Sequence, residues 1–348
     1  MSRPRLGFLG TGWIGRHRMA AIAGTGTADI AWLCDPDSAS LAEAQALAPG
    51  AAVVESLDAM LAHRPDGVVI ATPSAQHAQQ GIAALEAGAH VFCQKPLGRD
   101  AQEVAAVVAA ARRADRRLGV DFSYRETAAV RAIRELVATG SLGRILAVDA
   151  VFHNAYGPDK PWFYDRALSG GGCLIDLGIH LIDAALHLLD FPTASPVSAA
   201  LWKQGEVANR SVVEDHALAE LRTDAGTVIR VACSWGSHAG RDADIRIVVH
   251  GSDATAALTN VGGSFYDLAV DLYSGTDSKR IVAPPDAWGG RAAERWASAL
   301  ASTQPQALGE LVTVAALVDA VYAQAYDGVG GAPVAVTTAR RAREYATG

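Results

Sequence analysis

A short apolar run at residues 6–9 breaks at Gly10-Thr11-Gly12-Trp13-Ile14-Gly15 and passes into Arg16-His17-Arg18-Met19-Ala20-Ala21-Ile22, which reads as helix. Strand, G-x-G-x-x-G, helix is the order a dinucleotide site requires. The first glycine permits a tight turn, the second lets a diphosphate approach the backbone, and the third seats the helix close to its strand. Unpaired N–H groups at the helix start then face the phosphate. With 34 glycines in the chain the motif alone is weak. Its context strengthens it, because residues 30–34 form a second strand ending at Asp35, where a carboxylate accepts hydrogen bonds from an adenosine ribose. Asp37 follows, and no Lys or Arg occurs from Pro36 through Leu47. A 2′-phosphate would meet like charge there, so the expected cofactor is NAD, with NADP disfavoured.

Further βα units continue the pattern. Residues 56–61 read as a short helix, and 67–71 as a buried parallel strand ending at Thr72-Pro73-Ser74. A helix to residue 87, a strand at 90–93 and the turn Gln94-Lys95-Pro96-Leu97-Gly98 come next, then a helix at 101–113 and a last strand at 118–122. Strand ends of this kind gather at the carboxyl edge of a parallel sheet, where ligands bind. Lys95 sits on that edge, and proline after it keeps it out of helical conformation. From position alone, it either donates to a substrate oxygen or is a solvated loop lysine.

After about residue 123 the texture changes. A helix at 125–139 stops at Gly140. A strand at 144–154 follows, and then segments of partial alternation at 197–203, 216–222, 227–235, 244–250, 254–259 and 267–273. Helices at 291–301 and 308–325 finish the chain before Gly328-Val329-Gly330-Gly331. The expected fold is α/β, with a Rossmann parallel sheet over 1–123 and a second α/β domain over 124–348. That second domain is built on a large open, mainly antiparallel sheet. One face of such a sheet needs cover, so a homo-oligomer formed through it is expected.

Between these segments lies Gly170-Gly171-Gly172-Cys173-Leu174-Ile175-Asp176-Leu177-Gly178-Ile179-His180-Leu181-Ile182-Asp183-Ala184-Ala185-Leu186-His187. As one α-helix it would line up Asp176, His180, Asp183 and His187 in a single stripe on an apolar cylinder. That is a buried helix presenting acid/base groups to a cavity; the alternative is a thin solvated edge. Two His and two Asp also invite a zinc reading, which Lys95 disfavours by already supplying positive charge, and no metal is expected.

The formal net charge of -7 leaves no basic excess for nucleic acid. Cys34, Cys93, Cys173 and Cys233 are scattered, which fits reduced thiols in the cytoplasm. No signal peptide is evident at the N-terminus, and no membrane-spanning segment is expected.

The ordered set Gly10-x-Gly12-x-x-Gly15, Ala71-Thr72-Pro73-Ser74 with His77, Lys95-Pro96 and Asp176-Leu177-Gly178-Ile179-His180 resembles the Gfo/Idh/MocA family of glucose-fructose oxidoreductase and inositol dehydrogenase relatives. The resemblance covers essentially the whole chain. It implies bound NAD or NADP, oxidation or reduction of a sugar, inositol or related polyol, and catalytic roles for Lys95, Asp176 and His180. Gly10, Gly12, Trp13, Ile14, Gly15, Asp35, Thr72, Pro73, Ser74, His77 and Gln94 are the expected cofactor residues. The family commonly has Glu-Lys-Pro where this chain has Gln94-Lys95-Pro96, so Lys95 is expected to titrate lower than beside a glutamate.

Hydride transfer from a secondary alcohol requires loss of the hydroxyl proton. His180 suits that task, and passage through Lys95 with His180 assisting is the alternative. Asp183 and His187 are expected to be structural. Tyr124, Arg125, His153, Trp162 and Arg166 are the expected substrate contacts, with Trp162 and Arg166 favoured because their segment leads towards Asp176. Two other functions compete: an NAD-requiring lyase or glycosidase acting through transient sugar oxidation, and a non-catalytic NAD-binding regulator. The intact Lys95, Asp176 and His180 disfavour the latter.

Overall fold

A computed structural model of the chain describes residues 3–302 and 304–328. Met1, Ser2, the glycines after residue 328 and the end of the expected second domain lie outside the described residues.

The first sheet holds β1 (Arg5–Leu9), β2 (Asp29–Cys34), β3 (Ala52–Val53), β4 (Gly67–Ile70), β5 (His90–Cys93) and β6 (Leu118–Val120), in the order β3-β2-β1-β4-β5-β6. Every pairing is parallel. A parallel sheet needs helices on both faces. Met19 and Ile22 of the helix Trp13–Thr25 cover one face, and Val104, Val107 and Val108 of the helix Ala101–Ala114 cover the other. β3 and the helix Ser38–Leu47, capped by Asp37, complete the unit and were not among the expected elements. The helix Arg291–Ser298 also returns from the far end of the chain to this sheet, where Trp296 packs on Phe92 at a ring distance of 5.7 Å.

The strand order reverses between β1 and β4, opening the crevice in which ligands of such sheets sit. Gly10, Asp35, Thr72, Gln94 and Asp121 follow closely on the carboxyl ends of β1, β2, β4, β5 and β6.

The second sheet comprises β7 (Ile145–Asn154), β8 (Ala194–Lys203), β9 (Glu206–Val207), β10 (His216–Thr223), β11 (Val228–Ser234), β12 (Ala243–Gly251), β13 (Thr255–Asn260), β14 (Leu268–Ser274) and β15 (Asp277–Val282). Its order is β15-β14-β13-β12-β7-β11-β10-β8-β9, antiparallel except where β7 meets β11. Alternation along β10 puts Ala217, Ala219 and Leu221 inward and Leu218 and Arg222 outward. The inward side joins a core with Ile133 of the helix Ala128–Ala138, Leu186 of the helix Ile179–Leu188 and Leu317 of the helix Gly309–Asp327. The outward side carries surface pairs such as Arg230 with Asp149, 2.6 Å apart.

The stretch Arg166–Leu188 is long and apolar enough to cross a membrane by length and composition alone. It lies in this core instead: 89% of the residues in its most apolar 18-residue window are buried, packed among the sheet and the helices Ala128–Ala138 and Gly309–Asp327.

Candidate active site

A cleft of about 870 Å³ follows the carboxyl edge of the first sheet. The loop containing Lys160, Trp162 and Phe163, together with Asp176 and His180, forms its second wall.

The cofactor half is built by backbone. Gly10 has φ +87°, and a Cβ there would lie 2.5 Å from the Ala71 carbonyl oxygen. A Cβ on Gly15 would lie 2.2 Å from the Gly10 oxygen. Gly12 is different: its Cβ would meet nothing within 4 Å, and the residue lines the cleft. The helix that follows has no side-chain cap on its first N–H groups. Bare backbone beside uncapped N–H groups fits a dinucleotide diphosphate. Asp35 is fixed at the end of β2, where one carboxylate oxygen accepts from the Thr11 N–H at 2.5 Å and the other from the Asp37 N–H at 2.9 Å. Trp13, Ile14, Thr72, Pro73, Ser74 and Gln94 line the same cleft.

Two cations reach this end although none lies between residues 36 and 47. Arg16, whose Nη2 is 2.6 Å from Glu43, and Lys160 both line the cleft. His77 is buried, with Nδ1 2.7 Å from the Pro96 oxygen and Nε2 2.6 Å from the Thr72 oxygen. It ties the turn after β4 to the turn after β5. Burial holds its pKa below the usual imidazole value, so the neutral ring donates to one carbonyl at a time.

The catalytic half joins the two domains. Lys95 Nζ donates to Asp176 Oδ1 at 2.5 Å and to the Asp176 backbone oxygen at 2.8 Å. An ammonium has three donors, so one remains for a substrate oxygen. Trp235 Nε1 donates to Asp176 Oδ2 at 3.1 Å. Asp176 thus gives Lys95 a carboxylate by direct contact, with the neutral Gln94 as its chain neighbour.

His180 also lines the cleft, its ring edge-on to Tyr124 at 5.2 Å. Its Nδ1 is buried without a hydrogen-bond partner among the described residues. Burial first, then the charges of Lys95 and Arg18, hold its pKa well below the usual imidazole value. Among the described residues no carboxylate hydrogen-bonds the ring, and its neutral form is favoured.

The stripe expected from one continuous α-helix is broken. Residues Leu174–Gly178 form a wider π-helical turn, and the α-helix begins only at Ile179. π-turns inside helices are common at functional sites. Glu214 anchors this one, since its Oε1 accepts from the Gly172 N–H at 2.9 Å, the Leu174 N–H at 3.1 Å and the Tyr322 hydroxyl at 2.8 Å. Asp176 and His180 face the cleft, whereas Asp183 and His187 turn to Arg125 and Arg134.

Of the expected substrate contacts only Trp162 lines the cleft, stacked on Phe163 with ring centroids 3.8 Å apart. The structure places the four others outside that lining. Arg125 is committed to Asp183 and Glu310, at 2.5 and 2.6 Å. Tyr124 is buried behind His180. His153 hydrogen-bonds Ser234 at 2.7 Å and stacks on His216. Arg166 faces a different pocket with Arg99 and Arg210, its guanidinium over the Tyr322 ring. Sequence reasoning missed Arg18 and Asp121, which line the cleft. Asp121 carried a usable signal, being a polar residue after a buried strand at the ligand edge; Arg18, on a helix, carried none.

A dinucleotide-binding sheet facing a second α/β domain across a cleft, with Lys, Asp and His meeting where the domains join, defines a nicotinamide-dependent oxidoreductase. The family descriptions agree. Residues 5–122 match "Oxidoreductase family, NAD-binding Rossmann fold", and residues 130–257 match "GFO/IDH/MocA C-terminal domain". The chain belongs to the GFO/IDH/MocA family.

The D-glucoside 3-dehydrogenase of Escherichia coli (strain K12) is 36% identical over 176 residues, 49% of each chain. The chain thus matches about half the length of that relative. The inositol 2-dehydrogenase of Rhodococcus erythropolis (strain PR4 / NBRC 100887) is 30% identical over 295 residues, 82% of this chain and 76% of that one. Among solved structures, levoglucosan dehydrogenase in complex with NADH and levoglucosan superposes with a TM-score of 0.82 at 22% identity. That match covers 96% of this chain and 100% of the other, and shows a shared fold.

Proposed function

We propose that the cleft oxidises or reduces a sugar or polyol at a secondary alcohol carbon with NAD. The observation that carries this reading is the Lys95–Asp176 contact, which places an ammonium beside His180 in the cleft that begins at Gly10 and Asp35. When bound, NAD supplies the hydride acceptor at its nicotinamide. Lys95 holds the reacting oxygen with its remaining N–H and stabilises negative charge on it. Neutral His180 hydrogen-bonds the same hydroxyl and either takes its proton or assists passage through Lys95. Asp176 fixes the ammonium and is itself held by Trp235.

Asp35 and Asp37 support NAD over NADP, because their carboxylates line the cleft at the end of β2 and would repel a 2′-phosphate. The relatives named for D-glucosides, inositol and levoglucosan support hydroxylated ring substrates. The test is a panel of D-glucosides, anhydro sugars and inositols read at the NADH absorbance with product analysis. Net NADH formation with a keto product is the expected result. Cleaved sugar without net NADH would replace this reading by a lyase or glycosidase.

We also propose that copies associate through the outward face of the second sheet, which leaves Leu146, Val197 and Leu218 exposed. Sedimentation of Leu218→Lys against the unaltered protein tests this. The buried, unpaired Cys34, Cys93, Cys173 and Cys233 support a cytoplasmic setting, which cell fractionation tests.

A further inference from the structure

Three groups from separate parts of the chain meet in the cleft: Gln94, expected as a cofactor residue, and Arg18 and Asp121, which have had no role so far. Arg18 Nε lies 2.5 Å from Asp121 Oδ2, and Gln94 Nε2 donates to the same oxygen at 2.7 Å. All three side chains are buried, and all three line the cleft with Lys95 and His180. Asp121 Oδ1 is buried without a partner among the described residues, which hold the carboxylate through its other oxygen. Backbone fixes the register: the Asp121 N–H donates to the Cys93 oxygen at 3.0 Å and the Gln94 N–H to the Ile70 oxygen at 2.9 Å. These bonds tie the backbone of Asp121 to the strand that leads into the turn carrying Lys95.

The charges in this part of the cleft are paired. Lys95 faces Asp176, Arg18 faces Asp121, and Gln94 is neutral. A carboxylate at position 94 would be a second anion on one guanidinium, and a neutral side chain at position 121 would leave Arg18 as a buried, unpaired cation beside Lys95.

We propose that Asp121, held by Arg18, is a positioning residue for Lys95: it grips the preceding side chain and sets the charge balance under the reacting end of the cleft. The 94/121 contact then needs one amide and one carboxylate, in either order. Gln94→Glu/Asp121→Asn restores the charge count: the new amide keeps its oxygen on Arg18 and offers its N–H from the place of the free Oδ1, to which the new carboxylate at position 94 turns. The kinetic consequence rests on the oxidoreductase reading; the chemical state of Lys95 does not.

The experiment compares the full-length unaltered protein, Gln94→Glu, Asp121→Asn and the double variant. Acetylation of Lys95 by acetic anhydride is followed against pH by peptide mass spectrometry, with thermal unfolding to confirm the fold. Asp121→Asn is expected to move the labelling midpoint to lower pH and to raise the rate at neutral pH by at least about threefold, because an unpaired cation favours the free amine. Gln94→Glu moves the midpoint the other way once its carboxyl ionises, and the double variant returns it. With a substrate in hand, each single variant lowers kcat by about tenfold or more with KM changed less than about threefold, and the double variant recovers most of the loss. An unmoved midpoint in folded Asp121→Asn, or a double variant no closer to the unaltered protein than the worse single one, overturns the proposal. If Asp121→Asn does not fold, Gln94→Glu and the double variant decide by the same criteria. A protein that oxidises none of the sugars refutes the activity reading and leaves the labelling result to decide this one.

Discussion

Lys95 Nζ lies 2.5 Å from Asp176 Oδ1, a contact that joins the turn after β5 to the π-turn of the second domain across 81 residues of sequence. Removing either partner should affect the chemical step more than cofactor binding. Lys95→Met and Asp176→Asn are expected to lower kcat by about 10²–10⁴-fold while NAD affinity stays within about threefold. Fluorescence titration with NAD beside steady-state kinetics checks this. Equal losses in both would mean that the contact only holds the domains together.

The glycine loop, the parallel strands and the positions of Lys95, Asp176 and His180 were legible because each rests on a local pattern. A strand ending in glycines, a lysine before proline and carboxylate–imidazole spacing on an apolar stretch are readable in short windows. The substrate side was not legible in that way. Arg125 and Arg166 look like binding residues in sequence, yet Asp183, Glu310 and the Tyr322 ring, all distant in the chain, occupy their guanidinium groups. The π-turn was hidden for a related reason. Apolar residues with a step of four fit an α-helix equally well, and what organises the wider turn is Glu214, forty residues away from Leu174.

His180 carries a pH prediction. Burial, Lys95 and Arg18 all disfavour its charged form, so the ring stays neutral well below the ordinary imidazole value near 6.5. The acid limb of kcat/KM should therefore lie below that value. A limb centred near 6.5 that disappears in His180→Asn would overturn this. Stability runs in the same sense, because the unfolded chain takes up a proton near 6.5 that the folded chain refuses. Stability is full above that pH and falls as pH drops, by up to about 1.4 kcal/mol per pH unit for each fully buried neutral imidazole. His77 adds to the effect by its own burial. Urea unfolding at pH 7 and pH 5 measures it, and His180→Asn should reduce the slope.

Arg125 should prove structural. Its Nε and Nη2 grip Asp183, and its Nη1 reaches Glu310, so truncation strands two carboxylates at the junction of three helical segments. Arg125→Ala is expected to cost about 3–5 kcal/mol of stability. Chemical denaturation reads that loss directly. A variant as stable as the parent, but with a raised KM for sugar, would return Arg125 to the substrate site.

Asp35 carries a prediction about the cofactor. Its carboxylate sits at the end of β2 beside Asp37, and both line the cleft. Arg16 and Lys160 stand at the same end, but Arg16 is already paired with Glu43. Taking away one negative charge should therefore leave cations able to accept a phosphate. In Asp35→Ser the preference for NAD over NADP, measured as the ratio of kcat/KM values, is expected to fall by about tenfold or more. Adding Glu43→Gln frees Arg16 and should lower the ratio further. A preference that survives both changes would mean that Asp37 or the backbone, and not Asp35, excludes the 2′-phosphate.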